Sequence, residues 1–126
     1  MVLLPALTFS QTEIFRTFST RVLFEHGEWE TYEGEDALIF WNLDEKVIDV
    51  KHPYFRNTYF YTNTGEMVEN DVDEDGDEYT VFRMIAYDLN GEEVVIVTKD
   101  WLDLPFTLIQ FLHEAVYVSC LAEQYE

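Results

Sequence analysis

A chain of 126 residues fits one domain, and 48% hydrophobic with 17% aromatic residues is enough to build a core without disulfides or a structural metal. Against 26 acidic residues stand only 7 basic ones, a net charge of −19, which argues against direct binding to nucleic acid or to an anionic membrane surface. The aromatic content argues equally against a disordered acidic tail, so the charge is expected on a folded protein.

In chain order, Met1 to Phe9 is apolar but has no basic region ahead of it, and it reads as structure. Ser10-Gln11-Thr12-Glu13 has the pattern of a capping box and predicts a short helix over residues 11–18, with a strand as the competing assignment. Alternation predicts a strand at Glu28–Tyr32, and the apolar run Ala37–Trp41 and the segment Val47–Val50 predict a strand pair. A further strand is expected at Asn57–Thr62. Tyr79–Tyr87 and Glu93–Thr98 predict a β-hairpin through Asp88-Leu89-Asn90-Gly91, because Asn-Gly supplies the positive φ such a turn demands.

Asp103 ahead of Leu104-Pro105, with Phe106, Ile109, Leu112, Val116 and Leu121 at helical spacing, predicts a C-terminal helix. The expected fold is therefore α+β. A single domain over residues 1–126 would hold an antiparallel sheet of about five strands packed against that helix, with the short N-terminal helix as a second cover.

Fourteen acids fall in two runs that contain no base. The first holds Glu25, Glu28, Glu30, Glu33, Glu35 and Asp36; the second holds Glu66, Glu69, Asp71, Asp73, Glu74, Asp75, Asp77 and Glu78. In extended backbone Asp71, Asp73, Asp75 and Asp77 would project to one side at intervals of about 6.7 Å, comparable to phosphates along a nucleic-acid strand. A groove lined with Lys and Arg would be attracted by that row as by a phosphate backbone.

In charge and size alone the chain resembles the small acidic inhibitors that bacteriophages direct against restriction, CRISPR or repair enzymes. The function this implies is a DNA or RNA mimic that occupies the basic surface of a nucleic-acid-binding protein. An immunity protein against a nuclease toxin would need the same acidic face. The bland alternative is a solvated loop that confers solubility, and a homodimer remains open.

Chemistry finds little support in the sequence. Asp71-Val72-Asp73-Glu74-Asp75-Gly76 matches the opening of a calcium loop, but the twelfth position is Phe82 where a bidentate Glu belongs, and a strand is expected to follow. His113 and Cys120, placed on one helix, would lie about 10.5 Å apart along its axis, too far for a catalytic pair. His26 and His52 lack metal-ligand spacing. The expectation is a protein with no catalytic residues, metal or cofactor, with a calcium-binding module or small enzyme as the rival class. The lone cysteine in an apolar stretch favours a reducing compartment, the cytoplasm.

Overall fold

The computed structural model describes residues 12–23, 27, 29–52, 56–62, 66–114 and 116–124. All regular structure among them is β. In chain order the strands are β1 (Thr12–Leu23), β2 (Trp29–Asn42), β3 (Val47–Lys51), β4 (Arg56–Tyr61), β5 (Glu66–Val72), β6 (Glu78–Tyr87), β7 (Glu93–Trp101), β8 (Phe106–Leu112) and β9 (Tyr117–Gln124). They form one antiparallel sheet in the order β4-β3-β2-β1-β9-β8-β7-β6-β5, and an extra β4–β6 pairing closes eight of them into a barrel. β5 lies outside the closure as a ninth strand on β6.

This overturns the α+β expectation. The predicted C-terminal helix is the hairpin β8–β9, in register from Phe106↔Glu123 to Leu112↔Tyr117. Helical spacing of selected apolar residues misled there. The buried residues Ile109, Phe111, Val118, Cys120 and Ala122 recur at every second position on each strand instead. Asp103-Leu104-Pro105 turns the chain between β7 and β8 and caps no helix. The N-terminal helix expected over residues 11–18 is, from Thr12 onward, the first half of β1, held along its length by β2 and, from Phe15 on, by β9. Residues 10 and 11 lie outside the described residues.

Alternation defines the interior. Ala37, Ile39 and Trp41 of β2, Ile48 and Val50 of β3, Tyr59 and Tyr61 of β4, and Val94 and Ile96 of β7 all point inward and are buried. On β1 the phase shifts: Phe15 and Thr17, then Thr20 and Val22, are buried on either side of a bulge between Thr17 and Ser19. Across the middle of the barrel Ile39, Ile48, Ile96, Ile109 and Phe111 are 0% exposed, with Tyr59 stacked on Phe111 at 4.9 Å between centroids. Side chains fill this part of the lumen, as expected for eight strands. Each contributes about 1.5–3 kcal/mol through burial.

Because the chain runs up and down, its connections alternate between two ends. The β1–β2, β3–β4, β6–β7 and β8–β9 connections share one end; β2–β3, β5–β6 and β7–β8 share the other. Closure between β4 and β6 is short, with the pairs Phe60↔Tyr87 and Tyr61↔Ala86. No helix among the described residues is long and apolar enough to cross a membrane.

Candidate functional site

The acidic segments occupy different parts of this frame. Glu30 is exposed on β2, and Glu33, Glu35 and Asp36 lie in the same strand. Glu25 and Glu28 lie outside the described residues. Between the pairs Thr17↔Ala37 and Ser19↔Glu33, β2 holds more residues than β1, so the acidic stretch contains an irregularity as well as charge. On its other side β2 pairs with β3 only from Leu38 to Asn42. Among the described residues, Trp29–Asp36 is thus paired on one side only.

The second run sits on a hairpin that leaves the barrel. Every residue of β5 is exposed, Glu66, Glu69 and Asp71 among them, and β5 pairs with β6 from Glu66↔Arg83 to Val72↔Glu78. Arg83 forms an exposed ion pair with Glu66 at 3.2 Å. Glu78, also exposed, opens β6. Among the described residues, the first run therefore lies along β2 and the second on β5 and the β5–β6 turn, strands that do not pair with each other.

Nor do the four aspartates form a row. After Asp71 the chain reverses through Asp73-Glu74-Asp75-Gly76-Asp77, bringing carboxylate oxygens of Asp73, Asp75 and Asp77 within 4.8 Å of one another. Asp73 organises the turn: its Oδ1 accepts from the backbone amides of Asp75 and Asp77, each at 2.9 Å. Its amide donates to the Asp77 carbonyl at 2.9 Å, and Gly76, at φ 86°, donates to the Asp73 carbonyl at 3.1 Å. The Asp77 amide above all holds the Asp73 carboxyl below its ordinary range, helped by Trp101, the Asp75 amide and Lys99 against partial desolvation.

The same construction recurs at the β6–β7 turn. There Asp88 Oδ1 accepts from Asn90 at 2.9 Å and Glu92 at 3.0 Å, and Gly91 has φ 80°. Asp-x-Asp-Gly-Asp and Asp-x-Asn-Gly-Glu are one kind of hairpin turn, in which the first aspartate satisfies amides that no strand can reach. This accounts for the likeness of Asp71–Gly76 to a calcium loop. Both Asp73 oxygens already accept hydrogen bonds, the second from Trp101 Nε1 at 3.0 Å.

On the outer face beside this hairpin, Lys99 Nζ lies 4.0 Å from the Tyr79 ring centroid and 5.0 Å from that of Trp101. The hairpin also exposes apolar side chains that the acid count obscured. Met67 (59%), Val68 (50%) and Val72 (49%) stand between the acids of β5. Their signal was the sequence Glu-Met-Val-Glu-Asn-Asp-Val itself, in which acidic and apolar residues intermingle on a strand with no core to face. In the aromatic cluster of β4, Tyr59 and Tyr61 point inward and Phe60 outward.

The groups weighed for catalysis are dispersed. Cys120 is 1% exposed in the lumen, with the Thr20 hydroxyl 4.0 Å from its sulfur, and burial pushes its thiol up to about 12. His113 follows the end of β8, where Nε2 lies 2.8 Å from the Tyr59 hydroxyl. Cys120 instead pairs across the hairpin with Ile109, so the two were never on one helix. No family model, characterised protein or solved structure matches the chain.

Proposed function

We propose that the protein acts by occupancy and not by catalysis, docking its β5–β6 hairpin on a basic surface of a nucleic-acid-handling partner. The observation that carries this reading is β5 itself: seven exposed residues on an outer strand, with Glu66, Glu69 and Asp71 interleaved with Met67, Val68 and Val72. Carboxylates in a field of net −19 steer a cationic surface from a distance. Apolar side chains among them supply contacts that lose water on docking. The edge of β5 that pairs with no other described strand offers backbone groups as well.

The turn at Asp73–Asp77 narrows the mimicry. It removes the phosphate-like row and leaves a compact acidic knob at the end of a strand, so the partner surface is a basic cleft rather than a long groove. The first acidic run, whose described members lie on β2, takes no part. A buried thiol fits a reducing compartment, and the cytoplasm, that of a host cell if the protein is phage encoded, is the proposed location.

The test compares the native chain with a Glu66→Lys, Glu69→Lys, Asp71→Lys variant as bait in a cell lysate, followed by purified binding measurements on each captured protein. Nucleic-acid enzymes that bind the native chain, lose it steeply with salt, and are displaced by duplex DNA would support the reading. Capture that is unchanged by charge reversal or by salt would end it.

A further inference from the structure

The lumen is filled at its middle but opens at the end that carries the β2–β3 and β7–β8 turns. There a cavity of about 230 Å³ is walled by Phe15, Trp41, Tyr61, Met84 and Ile109. An apolar cavity of about 150 Å³ accepts benzene, so this one has room for a single ring with a short chain. The wall is rigidly built. Trp41 meets Phe15 and Tyr61 edge-on, each at 6.4 Å between centroids, and its indole N–H donates to the Tyr61 hydroxyl at 3.1 Å.

The polar groups in the lining have one sign. Glu13 and Asp100 supply carboxylates, and among the described residues no lysine or arginine lines the cavity. Asp100 is held in place by the Thr107 hydroxyl, which donates to its Oδ1 at 2.7 Å. On β6 the inward series that includes Met84 continues to Phe82, paired with Met67 of β5, and both are exposed. An apolar ramp thus leads from the acidic hairpin toward the mouth.

We propose that this cavity binds a small organic cation: a protonated amine carried on one aromatic ring or a short alkyl chain. The apolar body would lie against Trp41, Tyr61 and Met84, and the ammonium would face Glu13 and Asp100. Aromatic faces near the head group add cation–π attraction. An anion would meet the two carboxylates and a protein of net −19. A neutral alcohol of the same shape would bury its body equally well but would leave the charge-assisted bond unmade.

The experiment titrates the full chain by calorimetry with phenylethylammonium, 3-phenylpropanol and 3-phenylpropionate, while the Trp41 indole N–H resonance is followed by NMR. The cation should bind and shift that resonance. The alcohol should bind about tenfold more weakly or worse, and the carboxylate not measurably. Asp100→Asn and Glu13→Gln should each weaken the cation about tenfold with the melting temperature nearly kept. Leu43→Trp, at a half-exposed turn position on the cavity rim, should block entry without touching the core.

Equal binding of all three probes, no binding of the cation, or cation binding unchanged by Leu43→Trp would overturn the proposal, the last by showing attachment to the acidic exterior. None of these substitutions lies on β5. Failure here therefore leaves the docking reading standing, and the reverse also holds.

Discussion

Trp101 donates its indole N–H to Asp73 Oδ2 at 3.0 Å, fastening the turn of the outlying β5–β6 hairpin to β7. The Trp101 ring also meets Phe106 edge-on at 5.4 Å, so one side chain joins the hairpin to the barrel wall. Trp101→Phe should keep the ring contacts and lose only the bond to Asp73. Hydrogen exchange of the Asp75 and Asp77 amides should quicken, with amides of β3 and β9 unchanged.

Asp73 itself adds a pH dependence. Its folded-state carboxyl titrates below the ordinary value of 3.8, so its contribution is complete above that value and is lost as pH falls through the lower folded one. Melting curves should show Asp73→Asn and Asp73→Ala both destabilised at pH 7. That difference from the native chain should shrink as pH falls through and below 3.8.

His113 titrates in the other sense. Burial lowers its affinity for a proton, opposed by the nearby Asp88 and Glu92, and its Nε2 shares a hydrogen bond of 2.8 Å with the Tyr59 hydroxyl. An unfolded histidine takes up a proton near 6.5 while the folded one resists, so stability is full above 6.5 and declines as pH falls through it. Urea midpoints measured at pH 8 and pH 5 should differ less for His113→Asn than for the native chain. An equal or larger difference would refute the assignment.

The lumen should tolerate truncation poorly. Phe111 is 0% exposed and stacked on Tyr59, so Phe111→Ala should cost about 3–5 kcal/mol in equilibrium unfolding. Tyr59→Phe keeps the stack and removes only the hydroxyl bonded to His113, for about 1 kcal/mol. A Phe111→Ala cost below that of Tyr59→Phe would show that the barrel repacks freely.

Cys120 offers a simple probe of the closed state. With its sulfur buried and its thiol pushed up to about 12, it should be inert to an aromatic disulfide reagent in native buffer at pH 8 and react at once in denaturant. Fast native reaction would mean that the lumen opens at the β8–β9 wall.

Short-range turn chemistry makes part of this fold legible in the sequence. Asn90-Gly91 marked the β6–β7 hairpin, and the apolar runs at Ala37–Trp41 and Val47–Val50 marked two paired strands. The same rule applies to Asp75-Gly76, which marks the β5–β6 turn inside the second acidic run, where the spacing of carboxylates fits a cation loop or a phosphate-like row equally well. At the C-terminal end, Phe106, Ile109, Leu112 and Val116 satisfy a helical period by chance. The β-branched and aromatic residues Thr107, Ile109, Phe111, Val116, Tyr117 and Val118 carried the better signal. Closure lies beyond any local pattern, because it depends on Phe60 meeting Tyr87 across the β5 excursion.

The pairing of β1 with β9 has a consequence for the newborn chain. Leu23 finds Tyr117 only after more than ninety further residues have been added, which at 5–20 residues per second is roughly 5–20 s of translation. Through that interval the β1–β2 hairpin presents an unclosed flank. Like charges along the sequence of that hairpin would repel a second unfinished copy of it, which lowers the chance of pairing at the wrong edge before closure.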